Sequence, residues 1–419
     1  MDYLKLLDQV QQYISLNYAT ELEAEFGTGG TGNSRLPEYI RRYLLEHPVE
    51  GGDAEALAVR IYNDMARYGW LTPYLDRHDI EEININGWDC AKVIYRSGKK
   101  ETVYNGFPSP GHGIAILRRL LRESGGSMDE SHPQGNAWLR GNIRVITNQQ
   151  PVIRDTEGVT ASIRFVEPAM MTDQVMHRTA SDELLGFLRT ALRYGLNIMI
   201  AGETGSGKTN TLGYLLQELL PIRRIVSIEE GSRELDLRLR DADGRVTNDC
   251  VQFITREHDD PQLRITQSDL LRTALRYDPD LIVMGEVRSK ESFAVQEAAR
   301  THTVVSTCHC NSAAGTYDRL VSMAKQMMDY NDEYLLKLMV DAFPLIVFQF
   351  RQPEDNSRRI TEVLEGERVE NGCVVYRHIF SYNGKVWQRR EQLSDRRLEA
   401  MLQHGLPKEK IALMQGVKP

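Results

Sequence analysis

No apolar run in this 419-residue chain reaches the roughly 20 residues that a membrane-spanning helix needs. Any link to a membrane is therefore expected to run through a partner. The opening residues, Met1-Asp-Tyr-Leu-Lys, lack the basic and apolar regions of a secretory signal peptide. Cysteine is scarce. The five present are an odd number and lie far apart, except Cys308 and Cys310. That usage points to reduced thiols in the cytoplasm rather than a disulfide framework. Excess positive charge is missing too. A net charge of −8 removes the electrostatic case for broad nucleic-acid binding. There is no internal repeat and no low-complexity segment. What remains, 41% hydrophobic and 26% charged residues, is the composition of an ordinary folded, soluble protein. The length suggests two or three domains.

Against these absences stands Gly202-Glu-Thr-Gly-Ser-Gly-Lys-Thr209, a complete GxxxxGK[ST] phosphate loop. Leu196-Asn-Ile-Met-Ile-Ala201 before it reads as a buried strand, and Asn210 to Leu220 after it as a helix. A glycine-rich turn ahead of a helix is the bland alternative, but strand, loop and helix in register argue for nucleotide binding. The glycines let successive N–H groups face a phosphate, and a helix start adds partial positive charge. Gly202, Glu203, Thr204, Gly205, Ser206, Gly207, Lys208, Thr209 and Asn210 are the candidate nucleotide contacts. Lys208 is placed to reach the β- and γ-phosphates, and Thr209 to ligate Mg²⁺.

Residues 1–50 read as helical pieces around a glycine-rich linker, Phe26 to Ser34. Residues 51–168 read as an α+β domain. Its expected strands are Ile80–Gly87, Lys92–Arg96, Asn142–Asn148 and Thr160–Val166, with a helix over Ile114–Glu123. Pro168 and the polar stretch 169–179 mark a boundary. Residues 180–384 alternate strands, at Asn197–Ala201, Arg224–Ile228, Asp280–Met284 and Thr303–Thr307, with helical patterns. The alternation predicts an α/β domain with a parallel sheet covered on both faces. Residues 237–266 interrupt it as an inserted hairpin or loop. Leu345–Phe350 opens an antiparallel tail, and helical segments over Asp395–His404 and Lys408–Met414 close the chain within a tail of 385–419.

Three further strands end in chemistry. Leu281-Ile-Val-Met-Gly-Glu286 ends in a carboxylate able to polarise water or a Mg²⁺-bound water. Ile225-Val-Ser-Ile-Glu-Glu230 offers Glu229 and, more weakly, Glu230. Acids clustered near a triphosphate require a divalent cation, so Thr209, Glu229 and Glu286 are the candidate Mg²⁺ residues, through water. Taken alone, the Glu229 segment is as readily structural. Val304-Val-Ser-Thr-Cys-His-Cys-Asn311 sets His309 at a strand end, where open α/β sheets bind ligands. A buried structural histidine is the alternative. Zinc is disfavoured for Cys308, His309 and Cys310, because strand neighbours point to opposite faces. Arg154, Arg164 and Arg288 are the guanidinium candidates for a charge-rich phosphoryl transition state, although most arginines are solvated surface.

These motifs in this order resemble those of the secretion-superfamily traffic ATPases, most nearly the CpaF/TadA-like branch of Tad/Flp pilus assembly, akin to type IV secretion ATPases. Asp79-Ile-Glu-Glu-Ile-Asn-Ile-Asn-Gly87, Asp129-Glu-Ser-His-Pro-Gln134 and Ala161-Ser-Ile-Arg-Phe165 are similar to its N-terminal segments. The resemblance spans roughly residues 75–365. It implies a RecA-like motor domain behind a smaller N-terminal domain. It also implies a homo-hexameric ring that hydrolyses ATP with Mg²⁺ and drives pilus assembly or secretion. Such a ring is peripheral to the inner face of the membrane, held there by a platform protein. Glu286 becomes the catalytic carboxylate, Glu229 a member of the acidic box, and His309 of the histidine box. Arg164 is similar to an arginine that reaches nucleotide across the domain cleft. The chain departs from the pattern at Glu230, where Asp is usual, at Arg300-Thr-His-Thr303, where glycines are usual, and at Cys308 and Cys310. It lacks the paired CxxC of many type II secretion ATPases and a guanine-selecting Asn-Lys-x-Asp. A retraction or DNA-translocating motor on the same fold stays open. So does a catalytically weak ATP-binding scaffold, which the 300–303 departure favours.

Overall fold

The computed structural model describes residues 3–22, 34–49, 53–123, 125–140, 142–166, 172–231, 234–256, 260–289, 291–353, 355 and 357–416. The glycine-rich linker lies outside them except for Ser34, as does the 168–171 part of the boundary. The chain divides into two compact units, residues 1–167 and 168–419.

In the first unit, helices α1 (Tyr3–Asn17), α2 (Leu36–Glu46) and α3 (Ala54–Ala66) bury a common apolar seam. Leu6, Val10 and Ile14 meet Ile40, Leu44 and Ile61 there. The strands that follow are β1 (Ile80–Gly87), β2 (Cys90–Tyr95), β3 (Lys100–Tyr104), β4 (Gln134–Leu139), β5 (Ile143–Gln149) and β6 (Val159–Phe165). They form one antiparallel sheet in the order β3-β2-β1-β6-β5-β4. Every second residue of β5 and β6 is buried, the pattern of a sheet with one face on a core. Helix α4 (Pro110–Glu123) buries Ile116, Leu117, Leu120 and Leu121 in that core. Helix α3 and strands β3 and β4 are additions to the sequence expectation.

The second unit holds nine strands: β7 (Ile198–Gly202), β8 (Ile225–Glu229), β9 (Cys250–Ile254), β10 (Leu281–Val287), β11 (Thr303–His309), β12 (Leu345–Arg351), β13 (Arg358–Glu370), β14 (Cys373–Tyr382) and β15 (Trp387–Arg389). Their order is β15-β14-β13-β12-β7-β11-β10-β8-β9. The six from β12 to β9 are mutually parallel, and β13 to β15 are antiparallel additions. The sheet is thus mixed around a parallel core. The expected loop at 237–266 contains a strand, β9. It was not legible because its residues are all half-buried or exposed, so no alternation marks it. The hairpin-like part of that stretch is the Arg240–Val246 bridge around Gly244.

Alternation along β7 shows how both faces are covered. Ile198 and Ile200 enter one core with α5 (Asp182–Arg193), α6 (Lys208–Leu216), α11 (Asp395–Gln403) and α12 (Lys408–Gln415). Met199 and Ala201 enter the other with α7 (Gln267–Ala274), α8 (Glu291–Ala298), α9 (Gly315–Ala324) and α10 (Asp332–Ala342). Among the described residues no helix is long and apolar enough to cross a membrane.

Asn197 secures the start of β7. Its Nδ2 donates to the carbonyls of Ala299 (2.6 Å) and Ala342 (2.7 Å), and its Oδ1 accepts from Val304 N at 2.7 Å. The side chain is 6% exposed, so these three backbone groups have no ready substitute in water. Asn197→Ala is expected to cost this unit about 3 kcal/mol or more, because each stranded buried group costs about 1–3 kcal/mol. Urea unfolding of the variant beside wild type measures it.

Candidate functional site

The phosphate loop leaves the carboxyl end of β7 and turns into α6. Gly205 (φ +76°) and Gly207 (φ +90°) take left-handed conformations that glycine enters without steric penalty. Gly202 answers a different constraint: a Cβ there would lie 2.1 Å from the carbonyl oxygen of Gln349 on β12. The Ser206 hydroxyl closes the loop by donating to Glu203 O at 2.8 Å. Glu203 and Thr204 are exposed, and Thr209 and Asn210 are half-exposed on the first turn of α6.

The loop brings Lys208 back over itself. Its ammonium is buried and donates to the carbonyls of Gly202 (3.0 Å) and Glu203 (2.8 Å). It also lies 3.2 Å from His309 Nδ1. Burial pushes the ammonium below its ordinary value, and the Glu286 charge works in the opposite direction. An ammonium only donates, so His309 Nδ1 accepts and the ring proton sits on Nε2.

That proton faces Glu286. His309 Nε2 is 3.1 Å from Glu286 Oε1, close enough for strong attraction but off the line of a well-formed hydrogen bond, so this buried oxygen lacks an aligned donor. The other oxygen accepts from Arg288 Nη2 at 2.7 Å, and Arg288 Nη1 reaches Glu230 at 3.2 Å. Burial by itself raises the Glu286 carboxyl. His309 and the Arg288 guanidinium outweigh it and hold the group at about 2. Glu291 fixes the neighbouring turn by accepting from the backbone N–H of Arg288 (2.5 Å) and Ser289 (2.7 Å).

Strand register assembles this row. His309 pairs with Gly202, and Gly202 pairs with Gln349 on its other side. Cys308 stands opposite Val287, beside Glu286. Lys208, Glu286, Arg288, His309 and Glu230 therefore form one connected chain of polar and charged groups. Glu229 ends β8 beside Gly285, whose missing Cβ leaves room for the Glu229 side chain. The Glu229 carboxylate accepts from the backbone N–H of Glu234 (2.9 Å) and Leu235 (3.2 Å), so it ties down the segment after its strand. Arg164 lies exposed on β6 in the first unit, opposite Glu82 and Arg144. Arg154 belongs to a turn closed on Glu157. Cys308 points into the core, where burial pushes its thiol up to about 12. Among the described residues no group of three or more His, Cys, Asp or Glu is arranged to hold a metal ion. The oxygens present, a half-exposed Thr209 hydroxyl and the Glu286 carboxylate with one oxygen lacking an aligned donor, fit Mg²⁺. That ion keeps most of its waters and needs only one or two protein oxygens.

Three residues near the loop had no signal in the sequence. Gln349 is buried and its Oε1 accepts from Thr211 Oγ1 at 2.7 Å. Arg358 Nε donates to Gly205 O at 3.0 Å. Arg351 Nη1 lies 3.7 Å from where a Gly205 Cβ would be. The altered segment 300–303 sits at the amino end of β11. At about 3.3 Å per strand residue it lies about 20 Å from His309.

The family model described as "Type II/IV secretion system protein" matches residues 133–350, just over half of the chain. An uncharacterized protein of Methanocaldococcus jannaschii is 31% identical over 275 residues, 64% of this chain and 45% of that protein. The type IV secretion system protein PtlH of Bordetella pertussis is 33% identical over 185 residues, 42% of this chain and 52% of PtlH. The chain spans only about half or less of the length of such curated relatives. Among solved structures, the VirB11 ATPase of the Brucella suis type IV secretion system is 24% identical, with a TM-score of 0.37. That match covers 71% of this chain and 92% of VirB11.

The Glu286 pair carries a pH signature. Its folded carboxyl, at about 2, lies below the roughly 4.3 of an unfolded glutamate. The stabilisation is therefore present above about pH 4.3 and lost as pH falls through about 2. Glu286→Gln is expected to flatten the loss of unfolding free energy across that window, measured by denaturant titration at successive pH values.

Proposed function

Because this chain belongs to the Type II/IV secretion system protein family, we propose that it is an ATP-hydrolysing motor of the secretion superfamily. The observation that carries this reading is the chain Lys208–His309–Glu286–Arg288, which links the phosphate loop to the neighbouring strand ends. The finer reading is a RecA-like motor unit working in a homo-hexameric ring of the CpaF/TadA-like kind. It would act at the cytoplasmic face of the membrane through a platform protein, in pilus assembly or secretion.

In this mechanism the loop N–H groups and the start of α6 receive the phosphates, and Lys208 moves its ammonium from loop carbonyls to phosphate oxygens. Thr209 and, through water, Glu286 would hold Mg²⁺, which would supply positive charge against the phosphates. Glu229 adds its negative charge to the same end of the sheet. Water attacks the γ-phosphorus, the bond to the ADP oxygen breaks, and Glu286 orients that water and receives its proton. A carboxylate held at about 2 is a weak base. His309 and Arg288 therefore govern its strength together: transfer of the Arg288 guanidinium to phosphate during the reaction removes one of the two groups that depress Glu286 and strengthens it as a base. His309 senses the change, because both its nitrogens face groups that reorganise. Arg164 remains our candidate for a further guanidinium that acts on nucleotide. The scaffold alternative rested on residues 300–303, and their distance from His309 weighs against it. The retraction and DNA-translocating alternatives share every residue named here.

Lys208→Ala is expected to abolish tight ATP binding in an equilibrium titration. Glu286→Gln should keep binding while lowering steady-state hydrolysis by about a hundredfold or more, the scale of lost general-base catalysis. Unchanged affinity in the first variant, or near-normal turnover in the second, contradicts the assignment. Turnover that rises with protein concentration supports a ring.

A further inference from the structure

The β12–β13 hairpin lies beside the phosphate loop yet takes no part in the chemistry described above. Arg351, at the end of β12, and Arg358, at the start of β13, stand directly opposite each other across the ladder. Like charges facing each other across strands destabilise a sheet. Among the described residues no carboxylate pairs with either of them, whereas the adjacent Arg359 is paired with Asp355 at 3.3 Å. Both side chains turn to the phosphate loop instead. Arg358 Nε donates to Gly205 O at 3.0 Å, and its Cδ would touch a Cβ on Gly207 at 2.9 Å. Arg351 Nη1 comes within 3.7 Å of a Cβ built on Gly205.

The Gly205–Ser206 peptide is planar, so its C=O and N–H point in opposite directions. Holding the carbonyl toward Arg358 aims the Ser206 N–H the other way, into the turn, where it meets Glu203 O at 3.3 Å. Glycines at 205 and 207 make this loop easy to bend, so an external hold on its carbonyl limits the shapes it samples. We propose that Arg358 is a positioning residue that holds the phosphate loop in its nucleotide-binding shape, and that Arg351 adds positive charge on the same flank for a polyphosphate ligand. The inference rests on the nucleotide-binding reading above. It assigns to the hairpin a role in affinity rather than in the chemical step, which belongs to residues on the other side of the loop.

The test compares Arg358→Ala with Arg351→Ala in the full chain, using a fluorescent ATP analogue for binding and steady-state hydrolysis for KM and kcat. Arg358→Ala is expected to raise Kd and KM by about tenfold or more, the scale of a charge-assisted hydrogen bond, with kcat changed by no more than about twofold. Arg351→Ala removes the same charge without removing the loop bond. It is expected to weaken binding by only about threefold, an effect that salt diminishes. Wild-type affinity in Arg358→Ala overturns the proposal. So do equal losses in the two variants, because charge alone would then account for them, and so does a fall in kcat at unchanged KM. Failure of the wild-type chain to bind the analogue counts against the underlying nucleotide reading instead.

Discussion

A buried ammonium must find acceptors, and Lys208 finds three: two carbonyls of its own loop and one nitrogen of His309. The rest of the site depends on that arrangement. It fixes the tautomer of His309, and the tautomer decides that a proton faces Glu286. It also depends on strand register, because His309 meets Lys208 only while β11 lies beside β7 with His309 opposite Gly202. A slip of one residue would turn His309 into the core and bring Cys308 to the loop.

The charges around this point are coupled to one another. Arg288 is shared between Glu286 and Glu230, and its guanidinium is raised above its ordinary value mainly by the bond to Glu286. Glu286 is depressed despite its burial, by His309 and by Arg288. Each holds the other, so an added anion that drew Arg288 away would raise the basicity of Glu286. Glu229 is a fixed neighbour by comparison, since its carboxylate is committed to the backbone of residues 234 and 235.

Geometry also separates parts of the chain that the sequence sets close together. Residues 300–303 precede His309 by only a few positions, yet they occupy the opposite end of the sheet. A strand is extended over that length, so these residues lie at the amino ends of β10 and β11, away from His309. The reverse holds for Arg358, which is 153 residues from Gly205 in sequence and hydrogen-bonded to it.

The sequence by itself determined the glycine-rich loop, the strand before it, the helix after it and the three strands that end in Glu229, Glu286 and His309. Each of those is a local pattern: glycines where the backbone must turn, and apolar runs that must be buried. It also carried the alternation of strands and helices that makes a sheet with both faces covered. The tertiary structure alone decided which strand ends meet. The order β12-β7-β11-β10-β8-β9 comes from how whole helices and strands bury their apolar faces. That order sets Gln349 and the β12–β13 arginines on one side of the loop, with His309 and Glu286 on the other. Strand β9 escaped notice because an edge strand that is half solvated carries no burial pattern of its own. Its place comes from the hydrogen bonds that β8 offers, and a partner's backbone leaves no trace in the local sequence.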